Sequence, residues 1–101
     1  MIDLKHLQQR AYQNKVKQWF NIKDVNMEFS LTYGELAEAY RSYYKKLPDL
    51  PEELADVVIY LLWLAEILHI DLEKEVLKKM DINEKRIYKK INGVPTRIES
   101  K

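Results

Sequence analysis

Nine consecutive apolar residues, Val57-Val58-Ile59-Tyr60-Leu61-Leu62-Trp63-Leu64-Ala65, follow directly on an acid, Asp56, and limit the folds open to this chain more than any other feature. A helix that is apolar nearly all round is buried on most sides, so the remaining residues must wrap it. The run stops at Glu66, well short of the ~20 residues that cross a bilayer. The carboxylate at its mouth needs a partner, because an ionised group beside buried apolar surface is costly unless compensated.

With two glycines and three prolines in 101 residues the chain has little punctuation and reads as helical. The periodicity predicts a first helix from about Asp3 to Phe20, with Leu4, Leu7, Ala11, Val16 and Phe20 on one stripe. After a polar loop, a second helix runs from about Glu28 to Lys46. It contains Gly34, whose penalty of roughly 1 kcal/mol implies close packing or a ligand approaching the backbone. Pro48-Asp49-Leu50-Pro51 ends it, and Pro51 suits the first turn of a third helix reaching about His69. Asp71 is the expected N-cap of a fourth helix, to about Lys90. Asn92-Gly93 then marks a turn into a polar tail. The expected organisation is a single all-α, four-helix domain over 1–91 and a tail over 92–101. Three amphipathic neighbours cover too little of the third helix, so homodimerisation is expected to complete the bundle.

Composition excludes several functions. Charged residues make up 33% of the chain but nearly cancel, leaving a formal net charge of +1 and no basic field for a nucleic-acid polymer. The absence of cysteine excludes a disulfide scaffold and a thiolate zinc site. His6 and His69 are too few and too scattered for a histidine metal centre. Without a signal-like apolar segment at Met1–His6, the expectation is a soluble cytoplasmic protein with no membrane association.

Two similar tetrapeptides carry the chemistry: Glu35-Leu36-Ala37-Glu38 and, eighteen residues on, Glu53-Leu54-Ala55-Asp56. Acids at i and i+3 on a helix point the same way. Roughly two or three such pairs arise by chance in a chain of this acidity, so location matters more than spacing. If the helices pack face to face, four carboxylates converge, and a divalent cation held by oxygen ligands is the remedy for their repulsion.

Gly34-Glu35-Leu36-Ala37-Glu38-Ala39, Glu53-Leu54-Ala55-Asp56-Val57-Val58-Ile59-Tyr60-Leu61-Leu62, Ile70-Asp71-Leu72-Glu73 and Lys79-Met80-Asp81-Ile82-Asn83 stand in an order that resembles the MazG-like branch of the all-α nucleoside triphosphate pyrophosphohydrolases. The resemblance spans roughly residues 28 to 91. It implies a helical dimer, or a dimer of dimers, that cleaves (deoxy)nucleoside triphosphates between the α and β phosphates to monophosphate and pyrophosphate. The cofactor it implies is Mg²⁺, with Mn²⁺ as an alternative hard cation.

Carried over residue by residue, Glu35, Glu53 and Asp56 become the catalytic acids, and with Glu38 the metal ligands. Many members of that family have a further acid three residues before Glu35, where this chain has Thr32. Glu38, about 4.5 Å along the axis from Glu35, is the better placed substitute than Glu28, about 10 Å away. The bland alternative makes both surface acids. Lys79, Asn83, Arg86 and Lys90 form a largely cationic stripe on the fourth helix. The resemblance assigns Lys79 and Asn83 to the nucleotide and leaves Arg86 open between phosphate contact and a solvated face. Tyr60 is a candidate to pack on sugar or base, the alternative being the core. Trp63, Tyr40, Tyr43 and Tyr44 are assigned to core or dimer interface. The leading expectation is a Mg²⁺-dependent pyrophosphohydrolase that clears unwanted nucleotides. The alternatives are a catalytically weak nucleotide-binding relative and a plain helical interaction module.

Overall fold

The structure, a computed structural model, describes residues 2–98. It consists of α1 (Leu4–Lys17), α2 (Val25–Tyr44), α3 (Leu50–Ile67), α4 (Leu72–Lys85) and a hairpin of β1 (Tyr88–Ile91) and β2 (Val94–Arg97). The expected all-α, four-helix architecture is observed. Asp3, Asp24 and Asp71 cap α1, α2 and α4, each side chain accepting from the backbone N–H three residues on, at 3.2, 3.0 and 3.2 Å. Each cap satisfies a donor that the helix itself leaves without a partner. At the start of α3, Pro51 occupies the first turn, where its missing N–H costs nothing.

The first three helices stop in one way. Phe20, Leu47 and Ile70 donate their N–H groups back to the carbonyls of Lys15, Ser42 and Ala65 at 3.1, 2.9 and 2.8 Å. This closure needs a left-handed residue just before the donor, usually glycine. Here Trp19, Lys46 and His69 take it, at φ 63°, 55° and 58°.

α2 and α3 form the most extensive pair, joined by a short turn, while α1 lies along α3 and α4 touches α1. The buried apolar residues are Ala39, Leu62, Trp63, Leu64 and Ala65. The apolar run thus supplies the core, but only through its second half, since Val58 and Leu61 remain about half exposed. Trp63 is held by its indole N–H, which donates to the Ala11 carbonyl at 2.9 Å.

α2 is inside out for a lone chain. The face it turns to α3 carries Glu28, Thr32, Glu35, Ala39 and Ser42, spaced at helical period, whereas Phe29, Leu36, Tyr40, Tyr43 and Tyr44 are exposed. The total accessible surface is 8407 Å², against about 6,000 Å² for a compact monomer of this mass. The radius of gyration is 17.2 Å, against about 13 Å for a compact domain of this length.

Three details depart from expectation. α4 ends at Lys85, and Arg86 leaves the helix at φ −71°, ψ 140°, so the cationic stripe breaks up: Lys79 and Asn83 lie on α4, Arg86 caps it, and Lys90 lies in β1. The Asn92-Gly93 turn is where the sequence puts it, with φ 54° and 79°, but strands flank it on both sides. Residues 99–101 of the expected tail lie outside the described residues. At Gly34 a Cβ would meet nothing within 4 Å, so the close packing expected there does not occur within one chain.

Candidate metal centre

The acid pairs meet because α2 and α3 fold back on each other with only Lys45–Asp49 between them. Glu35 and Glu38 project from one helix one turn apart, and Glu53 comes from the first turns of the next. Among the described residues, Glu35, Glu38 and Glu53 are the group of three that can offer one oxygen each within 4.8 Å of one another. Glu35 and Glu53 are half-buried and Glu38 is exposed, so the cluster opens to solvent on the Glu38 side. Asp56, one turn beyond Glu53, stands outside that set but acts on it electrostatically.

Loss of solvent is the main reason the Glu35 carboxyl is pushed above its ordinary value, with the Glu38 and Asp56 charges adding to it. Glu53 is raised in the same direction, by loss of solvent first and then by Asp49, Glu38, Asp56 and Glu35. Tyr60 lies beside Glu35, and its phenol is also raised, first by burial and then by the Glu35 charge. One oxygen of Glu53, Oε2, is shielded from water and has no hydrogen-bond partner. Hard oxygen donors, mutual repulsion and a shielded carboxylate oxygen with nothing to bind are what a small divalent cation would satisfy.

Glu28 behaves differently from either sequence-based reading. It is not a surface acid and does not join the cluster: its side chain is 1% exposed and pairs at 2.9 Å with Lys15, itself 3% exposed. Asn21 Nδ2 donates to the other Glu28 oxygen at 3.0 Å. The Lys15 ammonium lies 4.2 Å from the Trp63 ring centroid, and Tyr60 packs on the same indole at 4.7 Å between rings. A buried ion pair is therefore linked to the acid cluster through Trp63 and Tyr60. The Thr32 hydroxyl donates to the Glu28 carbonyl at 2.8 Å and so is engaged within its own helix. Of the two candidates to replace the acid missing at Thr32, only Glu38 lies in the cluster.

The nucleotide-binding candidates do not converge within one chain. Lys79 and Asn83 are exposed on α4, whose main helix contact is with α1. Arg86 is partly buried, and its Nε is shielded without a hydrogen-bond partner. Tyr60 alone among the four stands at the acids.

Part of this chain has known relatives. It is 50% identical over 42 residues to dCTP pyrophosphatase 1 of Rattus norvegicus, and equally so to dCTP pyrophosphatase 1 of Mus musculus. The matched segment is 42% of this chain and 25% of each relative, so the chain spans about a quarter of the length of the curated relatives it matches. No family model matches, and no solved structure matches. No helix among the described residues is long and apolar enough to cross a membrane.

Proposed function

We propose that this chain is a Mg²⁺-dependent nucleotide pyrophosphohydrolase of the MazG-like kind, cleaving (deoxy)nucleoside triphosphates to monophosphate and pyrophosphate in the cytoplasmic nucleotide pool. The observation that carries the reading is the convergence of Glu35, Glu38 and Glu53 within 4.8 Å. The 42-residue identity to proteins named dCTP pyrophosphatase supports it. Glu35, Glu38, Glu53 and Asp56 would hold the cation, which supplies charge neutralisation at the phosphates and a bound water of lowered pKa. Tyr60 stands beside Glu35, and the partial burial of Glu35 and Glu53 strengthens their pull on a cation while keeping bulk water away from one side of the site. With α4 packing mainly on α1 in its own chain, Lys79 and Asn83 would meet phosphate or nucleoside held at the acids of a neighbouring subunit.

The same reading makes the protein a homodimer or a dimer of dimers. The apolar outer face of α2 and an excess of about 2,300 Å² over a compact monomer match the half-share that one subunit of an obligate dimer buries. The decisive experiment is a panel of ribo- and deoxynucleoside triphosphates assayed for Mg²⁺-dependent pyrophosphate release, with Mn²⁺ in parallel. Glu53→Gln and Asp56→Asn should each lower turnover at least ~100-fold at saturating Mg²⁺ with helicity unchanged, because an amide is a poor ligand for a hard cation. Wild-type rates in either variant would remove that residue from the site. Thr32 favours a second reading, a nucleotide-binding relative with little turnover: binding by calorimetry without pyrophosphate release would select it.

A further inference from the structure

The helix pair that carries the acids is tied together by polar contacts on both sides of them. At the α2–α3 turn the buried Ser42 hydroxyl donates to Asp49 Oδ1 at 2.9 Å, joining the last turn of α2 to the cap of α3. In the other direction, two turns before Glu35, stands the buried Lys15–Glu28 pair. Along α2 the order is Glu28, Glu35, Glu38, Ser42, and from the Asp49 cap along the returning α3 it is Glu53, Asp56, Tyr60, Trp63. All four acids of the metal centre thus lie between the two contacts.

The far contact is built by α1. Lys15 reaches Glu28 of α2 at 2.9 Å and holds its ammonium 4.2 Å from the ring centroid of Trp63 of α3. The Trp63 N–H donates to the Ala11 carbonyl, also on α1, at 2.9 Å, so the indole is fixed in rotation as well as in place. Asn21 closes the group from the loop between α1 and α2, its Nδ2 donating to Glu28 Oε2 and to the Asp24 carbonyl, each at 3.0 Å. One lysine therefore joins three helices at one level. A buried ion pair adds little stability over apolar residues of the same volume; its best-attested use is to single out one alignment of the helices that bury it, since a slide leaves a charge unpaired in a dry site. An apolar replacement keeps the fold and loses uniqueness first. A slide of α2 by one residue is about 1.5 Å along its axis, large against the roughly 0.2 Å within which metal–ligand distances are held.

We infer that Lys15, Glu28 and Trp63 are positioning residues of the metal centre, fixing the axial alignment of α2 on α3 that brings Glu35 and Glu38 to Glu53. Because the site so held is the metal centre proposed above, alignment and metal binding are measured separately. The chain has no cysteine, so nitroxide labels at Ser30→Cys on α2 and Leu61→Cys on α3, both exposed positions, report the distance between the helices, with unlabelled chains in excess to remove distances between subunits. Mn²⁺ alone, added to chains without labels, gives the affinity from its own magnetic resonance signal. Lys15→Met combined with Glu28→Leu should broaden or shift the label distances and weaken Mn²⁺ binding about 10-fold or more, the usual loss when the support behind metal ligands is removed. Gln8→Leu controls for lost stability alone: Gln8 is buried and bonds Glu66 and the Ile70 carbonyl at 2.9 and 2.7 Å, beyond the Trp63 contact, and its replacement should leave both readouts at wild-type values. Wild-type distances in the double variant overturn the assignment. So does wild-type Mn²⁺ affinity in it, or an equal loss of affinity in Gln8→Leu. Should the double variant not fold, Lys15→Gln with Glu28→Gln, which keeps a polar contact and gives up the cation over the indole, is held to the same two readouts. Label distances that loosen in a protein whose wild type binds no Mn²⁺ uphold the alignment and reject the metal reading.

Discussion

Removing the charge of Lys15 should damage this fold far more than its place on a surface-like amphipathic helix suggests. Lys15→Met keeps the length of the stem but leaves the Glu28 carboxylate 1% exposed with only Asn21 as a donor. Breaking one side of a buried ion pair costs about 3–5 kcal/mol, because the remaining charge is uncompensated in a poorly polarisable site. That is a large part of a total stability on the order of 5–15 kcal/mol, and it corresponds to a fall in Tm on the order of 20 °C for a chain of this length. The double substitution Lys15→Met with Glu28→Leu removes both charges. It forgoes the ammonium–indole contact, worth about 1–2 kcal/mol when desolvated, and should otherwise be close to neutral. Urea unfolding at one fixed protein concentration, since association contributes to apparent stability, should therefore place the double variant within about 2 kcal/mol of wild type and well above Lys15→Met. A single variant costing less than about 1 kcal/mol, or a double variant as unstable as the sum of the two singles, would refute the argument from burial.

The acid cluster should leave a pH signature in the metal-free protein. Glu35 and Glu53 have folded-state values raised above the ordinary 4.5, so the folded state binds more protons than the unfolded state in that window and stability falls as pH rises through it. Denaturant midpoints in EDTA should drop from about pH 4.5 towards neutrality, and Glu35→Gln or saturating Mg²⁺ should flatten the drop; equal slopes in wild type and Glu35→Gln would reject the cluster as its source. Gly34→Ala should stabilise the isolated fold by about 1 kcal/mol, since the added methyl meets nothing within 4 Å and the helix gains propensity. A stability loss in chemical denaturation would mean that another subunit packs against this backbone.

How much of this was legible in the sequence differs from element to element, for physical reasons. The acid pairs could be read because i, i+3 spacing fixes direction on a helix, and the turn marked by Pro48 and Pro51 fixes that the two helices return on each other. The cap at Asp71 was equally local. The Lys15–Glu28 pair was not legible, because the two residues are thirteen apart and meet only through the loop that Asn21 organises. One clue existed: Leu7, Ala11 and Lys15 fall at i, i+4 and i+8, which puts a lysine on the apolar stripe of α1. The end of α4 was misjudged because Lys79, Asn83, Arg86 and Lys90 keep a helical period past the point where the backbone turns extended. Asn92-Gly93, flanked by Ile91 and Val94, was the competing signal, since both turn residues adopt positive φ and so favour a two-residue hairpin turn. The inverted polarity of α2 was visible as letters but had no meaning until the partner helix showed which face was inward.

Pro95 governs how the hairpin can meet other strands. Counting along the register from the hydrogen-bonded Ile87 and Ile98, the Lys90–Pro95 pair is one whose backbone groups point away from the partner strand. At that position an ordinary residue would offer an outward N–H to any passing strand; proline offers none, and Lys89 and Lys90 put charge on the opposite strand. The hairpin is consequently a poor template for edge-to-edge growth. Chains that collide through this element are steered away from an open-ended ribbon, which disfavours a fibril at the concentrations reached during synthesis.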